Sequence, residues 1–106
     1  MKALNRIVIG LFKSLGGIMT KKHPVTHWFY FQNPKDLLKF EDHMNQIGFS
    51  TIQKNLKRKT PKEKLLLIVG KTEKINEDSI NFDTEEFRKI AIQYNGEYDG
   101  WETQIE

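Results

Sequence analysis

Residues 27–32 read His-Trp-Phe-Tyr-Phe-Gln, and this run constrains the fold more than any other feature of the chain. Trp28, Phe29, Tyr30 and Phe31 are bulky and consecutive. In a strand, neighbouring side chains point to opposite faces, so a run of this kind needs cover on both. His27, Phe29 and Phe31 share one parity, and Trp28 and Tyr30 share the other. The run is expected to be the first strand of a sheet.

Beyond this run the chain alternates between helical and extended patterns. Asn33 is placed to cap a helix, with Pro34 at its first position and Asp36 near its positive end. Leu37, Phe40, Met44 and Ile47 recur at helical spacing, and Gly48 ends the helix. Phe49–Lys57 reads as a second strand, Arg58–Pro61 as its turn, and Lys64–Thr72 as a third strand apolar enough to be central. Glu73–Asn81 reads as a loop. Asp83 and Glu86 then have capping-box spacing, with Phe82 as a staple. Phe87, Ile90, Ala91 and Tyr94 form the buried stripe of a second helix, Gly96 stops it, and Glu97–Gln104 closes the chain as a fourth strand. This β-α-β-β-α-β order predicts an α+β, ferredoxin-like domain with an antiparallel four-stranded sheet over residues 23–106.

An additional segment precedes it. In residues 4–19, Leu4, Ile7, Val8, Leu11, Phe12, Leu15, Ile18 and Met19 share one arc of about 140° at helical spacing, and Ile9 falls outside it. Gly10, Gly16 and Gly17 make such a helix marginal alone in water, so its apolar stripe needs a surface. Residues 1–22 are thus expected to be an amphipathic basic helix and linker. The formal charge of +3 is unevenly spread: Lys2, Arg6, Lys13, Lys21, Lys22 and Lys35 precede the first acid, Asp36. The rest of the chain carries more acids than bases, so the basic balance does not imply nucleic acid as a partner. The absence of cysteine rules out disulfides and thiolate metal sites and suits a reducing, cytoplasmic setting. No apolar run approaches the roughly 18 residues that span a bilayer.

The aromatic opening and the ending Asn-Gly-Glu-Tyr-Asp-Gly-Trp resemble the ribonuclease E inhibitor family (regulator of ribonuclease E activity B). His27, Phe29, Tyr30 and Phe31 match its opening run. Gly96, Glu97, Tyr98, Asp99, Gly100 and Trp101 match its closing motif, with Asn95 where a glycine is common. The resemblance implies a small, non-catalytic regulator that binds a ribonuclease and alters messenger RNA turnover.

The residues themselves nominate a contact surface. Tyr98 and Trp101 are three apart, so a regular strand sends them to opposite faces, whereas a bulge at Gly100 brings them to one. Trp28, Tyr30, Glu97, Asp99 and Trp101 are the candidate partner-binding residues, an aromatic and acidic set suited to a protein partner. Three covers fit the second face of the first strand: the amino-terminal helix, a second copy of the chain, or a partner protein; docking of the helix on this or a twin subunit is favoured, and a membrane surface touched through Leu4 to Met19 is next. A homodimer is therefore within expectation. The hairpin lysines Lys54, Lys57, Lys59, Lys62 and Lys64, with Arg58, read as a solvated tip; an RNA-binding module is the alternative function. His23 and His27 lack a third ligand nearby. No catalytic motif, metal site or cofactor is expected.

Overall fold

A computed structural model describes residues 2–17 and 21–104. The elements run α1 (Lys2–Ser14), β1 (Lys22–Phe31), α2 (Pro34–Gln46), β2 (Ser50–Lys54), β3 (Leu65–Lys74), α3 (Glu77–Gln93) and β4 (Gly96–Thr103). The four strands form one antiparallel sheet in the order β2-β3-β1-β4. The described residues thus form an α+β fold with three helices and a four-stranded antiparallel sheet. β3 lies between β1 and β2, and β1 lies between β3 and β4.

Burial along β1 alternates strictly. His23, Val25, His27, Phe29 and Phe31 are buried, and Pro24, Thr26, Trp28 and Tyr30 are half-buried. The buried parity faces the helices. Phe29 and Phe31 pack with Leu37, Phe40 and Met44 of α2, Leu65, Leu67 and Val69 of β3, and Phe87 and Ala91 of α3. The Asn33 cap forms as expected: its side chain accepts from the Lys35 amide at 2.8 Å, and Pro34 opens α2. Gly48 follows that helix with φ of +100°, a conformation open to glycine.

Several boundaries differ from expectation. β1 begins at Lys22, so Lys22–Pro24 extends the strand rather than linking to it. The reason is pairing: Lys22, His23 and Pro24 continue the β3 register against Lys74, Glu73 and Thr72. α3 starts at Glu77, well before the expected capping box. Asn76 is its cap, accepting from the Ser79 amide at 3.1 Å, with Glu77 and Asp78 in the first turn, and Asp83 lies mid-helix. At the other end Asn95, with φ of +59°, takes the left-handed position expected of Gly96. Gly96 serves packing instead: a Cβ there would lie 2.3 Å from the Phe31 ring.

α1 docks on the same side of the sheet as the other helices. Ile9 and Phe12 are buried with Val25, Ile75 and Ile80, and Trp101 packs against them. The expected stripe is largely outward: Leu4, Ile7, Leu11 and Leu15 are each more than half exposed. Ile9, the residue excluded from that stripe, is 4% exposed. The reason is Asn5. Its buried amide nitrogen donates to Asn81 Oδ1 at 2.9 Å and Thr84 Oγ1 at 3.0 Å, and its oxygen accepts from Trp101 Nε1 at 2.8 Å. These bonds rotate the helix so that Asn5, Ile9 and Phe12 point inward. Ile18 and Met19 of the expected helix lie outside the described residues.

Candidate functional site: the open face of the sheet

The face of the sheet away from the helices is built from the second parity of each strand. β1 contributes Trp28 and Tyr30. In the β3 register Trp28 pairs with Ile68 and Tyr30 with Leu66, which places two aliphatic residues beside the two aromatics. Gly70 continues the row, and the side chains of Ile52 and Thr26 lie close over its Cα. Ile68 is buried, at 7% exposure, whereas Ile52 at the sheet edge is 59% exposed. The centre of this face is therefore apolar and, among the described residues, has no helix above it.

β4 supplies the acidic border. Its pairing with β1 slips between Trp28 and Phe29: Gly100 pairs with Trp28 and Tyr98 with Phe29, leaving Asp99 as the extra residue of a bulge. Gly100 carries φ of +146°, a conformation side chains rarely adopt. The slip decides between the two arrangements that the sequence allows. Tyr98 and Trp101 lie on the same side, toward the helices, Tyr98 against Phe29 and Trp101 against α1. Glu97, Asp99 and Glu102 are exposed along this edge.

Two shallow hollows mark the open face. One is bounded by Trp28, Tyr30, Asp99, Gly100, Trp101 and Glu102. The other joins Tyr30, Leu66, Glu97 and Asp99 to the hairpin residues Asn55, Lys62, Glu63 and Lys64. Tyr30 and Asp99 belong to both. Lys64 Nζ donates to both carboxylate oxygens of Glu97 at 2.8 Å, closing one end of the surface. Of the candidate residues, Trp28, Tyr30, Glu97 and Asp99 are brought together here. Trp101 reaches the surface at its rim while its ring is held by Asn5. Leu66, Ile68 and Ile52 join the surface although the motifs do not single them out; alternation within residues 64–72 is the available signal.

The two histidines of β1 sit on the opposite side. His23 is buried, with Phe12 edge-on at 4.8 Å. His27 is buried among Phe49, Phe87 and Tyr98. Its Nδ1 is 2.8 Å from the Tyr98 hydroxyl, and its Nε2 has no hydrogen-bond partner among the described residues. Burial pushes His27 down to about 3, so the ring is neutral at ordinary pH, and burial raises Tyr98 well above the phenol range. Among the described residues no group of three His, Cys, Asp or Glu is disposed to hold a metal. No helix of the described residues is long and apolar enough to cross a membrane.

The hairpin cations are partly engaged elsewhere. Lys54 binds Glu41 of α2 at 3.0 Å, on the helix side, with Thr51 donating to the same carboxylate at 2.7 Å. Arg58 donates to the Gln32 carbonyl at 2.7 Å.

Against this geometry, the family model for regulator of ribonuclease activity B matches residues 2–103. The chain belongs to that family. The match takes in α1 as well as the sheet and its two principal helices, and it agrees with the resemblance carried by the opening and closing motifs. No significant match was found among curated proteins. The family description makes the chain a regulator of ribonuclease activity, which points to a protein partner.

Proposed function

We propose that this regulator of ribonuclease activity B family member is a non-enzymatic protein that docks on a ribonuclease through its open sheet face and so limits access of RNA. The observation that carries the proposal is the apolar row of Trp28, Tyr30, Leu66 and Ile68, with no helix over it among the described residues and acids along one edge. An apolar centre with a polar rim is the anatomy of a protein contact. Glu97, Asp99 and Glu102 oppose the other reading, because phosphates running along this face would meet carboxylates. The hairpin supports the same choice, since Lys54, Arg58 and Lys64 already have partners within the chain.

We take Trp28 and Tyr30 as the anchors, Glu97 and Asp99 as rim contacts, and Trp101 as the residue that stiffens the bulged edge. The strand order, with β3 and β1 central and β2 and β4 outside, supports assigning residues 23–106 to the ferredoxin-like type, with α1 as an addition. A cytoplasmic setting, where such a target works, goes with this reading and with the lack of cysteine.

The test uses the purified chain and the ribonuclease E-type enzyme of the same cell, with a labelled RNA. The intact chain should slow cleavage and cleave nothing itself. The folded double variant Trp28→Ala/Tyr30→Ala should lose inhibition by tenfold or more, about the loss of one or two binding anchors. Undiminished inhibition by that variant would remove the open face from the mechanism.

A further inference from the structure

Of the two hollows on the open face, the one beside Trp28 combines aromatic rings with unpaired carboxylates. Trp28 faces Gly100 across the β1–β4 pairing, so no side chain covers it from the facing position, and a Cβ at Gly100 would meet nothing within 4 Å. The bulge that Gly100 permits sets Asp99 just before this gap, and Glu102 follows it on the exposed edge. The result is a hollow of about 260 Å³, with Trp28, Tyr30 and Trp101 as its aromatic lining and Asp99 and Glu102 as the charged residues of that lining. This is below the roughly 300–1,000 Å³ of pockets that enclose whole small ligands, and it suits one long side chain. Neither carboxylate has a hydrogen bond or ion pair among the described residues.

We infer that this hollow is a subsite for one arginine side chain, presented by the protein docked on the open face. It deepens the proposed docking contact and rests on it for the partner. Three observations select a guanidinium. First, two carboxylates and no base in the lining call for a cation, whereas the neighbouring hollow contains Lys62 and Lys64, which oppose one. Second, aromatic rings beside acids suit a group that stacks by its face and donates in its plane. Arginine does both at once, while a lysine ammonium is a compact, strongly hydrated point charge. Third, the chain has no arginine of its own to supply. Arg6 binds Glu77, Arg58 donates to the Gln32 carbonyl and Arg88 binds Glu85. Lys64, which borders the other hollow, is held by Glu97. The occupant therefore comes from another molecule.

The same charges count against a nucleic-acid base as the occupant. A base stacks on tryptophan or tyrosine as readily as a guanidinium does, but its phosphates would run past Asp99 and Glu102. Tyr30 and Asp99 border both hollows, so an arginine seated here joins the two halves of the docking surface.

An NMR titration of the full chain alone tests it through the indole N–H signal of Trp28. N-acetyl-arginine amide should shift that signal and saturate at millimolar concentration. N-acetyl-citrulline amide, its uncharged near-isostere, should leave the signal in place. Asp99→Asn/Glu102→Gln should bind the arginine amide about tenfold more weakly, the loss of two charge-assisted contacts. Asp42→Asn, which removes an exposed acid of α2, should bind as wild type. Before ligand is added, the Trp101 N–H signal, bonded to Asn5, verifies that each variant keeps its fold. No shift of Trp28 with the arginine amide would overturn the inference. So would an equal shift with the citrulline amide, or unaltered affinity of the Asp99→Asn/Glu102→Gln variant. Tighter binding of oligouridylate at Trp28 would overturn it in favour of single-stranded RNA. The ribonuclease assay separates the subsite from the docking face. Inhibition undiminished in Asp99→Asn/Glu102→Gln but lost in Trp28→Ala/Tyr30→Ala would overturn the arginine subsite and leave the docking face standing.

Discussion

Asn5 is the residue on which the position of α1 turns. Its partners Asn81 and Trp101 are 76 and 96 positions away in the chain. Nothing local to residues 4–19 signals them, so in the sequence an inward asparagine looks like an interruption of an apolar face. Tyr98 and Trp101 illustrate the opposite case. Their shared orientation is one of two arrangements readable from Gly100, and the φ of +146° with the slipped pairing realises the bulged one. His27 gives this scale its prediction. Burial holds it at about 3 in the folded chain against 6.5 for the free group. Below pH 6.5 the unfolded chain therefore binds a proton that the folded chain refuses. Stability is full above that pH and falls as pH drops toward 3, by about 1.4 kcal/mol per unit, or roughly 2 kcal/mol by pH 5. Glu73 and Asp83 act the other way. Burial raises both, Glu73 further by its proximity to Asp83, so the folded state gains protons first and is favoured as pH falls. Comparison with His27→Gln isolates the histidine: urea denaturation at pH 7 and pH 5 should show a clearly smaller loss in the variant. Equal losses would mean that His27 is not held neutral.

At the scale of elements, the strands and α2 are legible because their signals are local. The Asn33-Pro34 start, the alternation of β1 and the apolar run of β3 depend on neighbours within a few residues. α3 begins early because Asn76 caps as well as any residue near Asp83, and Ile75 and Ile80 are buried on either side of that start. Periodicity identifies a stripe but cannot say which side a neighbour approaches from, which is why α1 turns its second-best face inward. Its docking surface is small, centred on Ile9 and Phe12 against Val25, Ile75 and Ile80. The consequence is a contrast between two phenylalanines of similar burial. Phe29→Ala, in the centre of the main core, should cost about 3–5 kcal/mol of global stability. Phe12→Ala should cost less, because α1 can leave as a unit and cap the loss. Hydrogen exchange distinguishes them: Phe12→Ala should release amides of residues 5–15 while β1 and β3 stay protected. Uniform loss of protection would show that α1 and the sheet unfold together.

Among the described residues, the sheet has one side covered by helices and one without a helix over it. All three helices, both buried histidines and the two closing aromatics Tyr98 and Trp101 lie on the first. Trp28, Tyr30, Leu66, Ile68 and the acids of β4 define the second. Aromatics on both parities of β1 foreshadow that two-sidedness. They do not foreshadow the covering layer, because α1 is one of the expected covers of the second face and instead extends the helical layer. The proposal assigns that sheet face to a partner, and the family description, a regulator of ribonuclease activity, suggests a protein partner. The measurement that tests this most directly is a hydrogen–deuterium or NMR footprint of the chain bound to the ribonuclease E-type enzyme of its own cell. The expected result is protection or shift changes concentrated on Trp28, Tyr30, Leu66, Ile68, Glu97 and Asp99, with the outer faces of α2 and α3 unchanged. A footprint confined to the helical side, with Trp28 and Tyr30 unaffected, would contradict it.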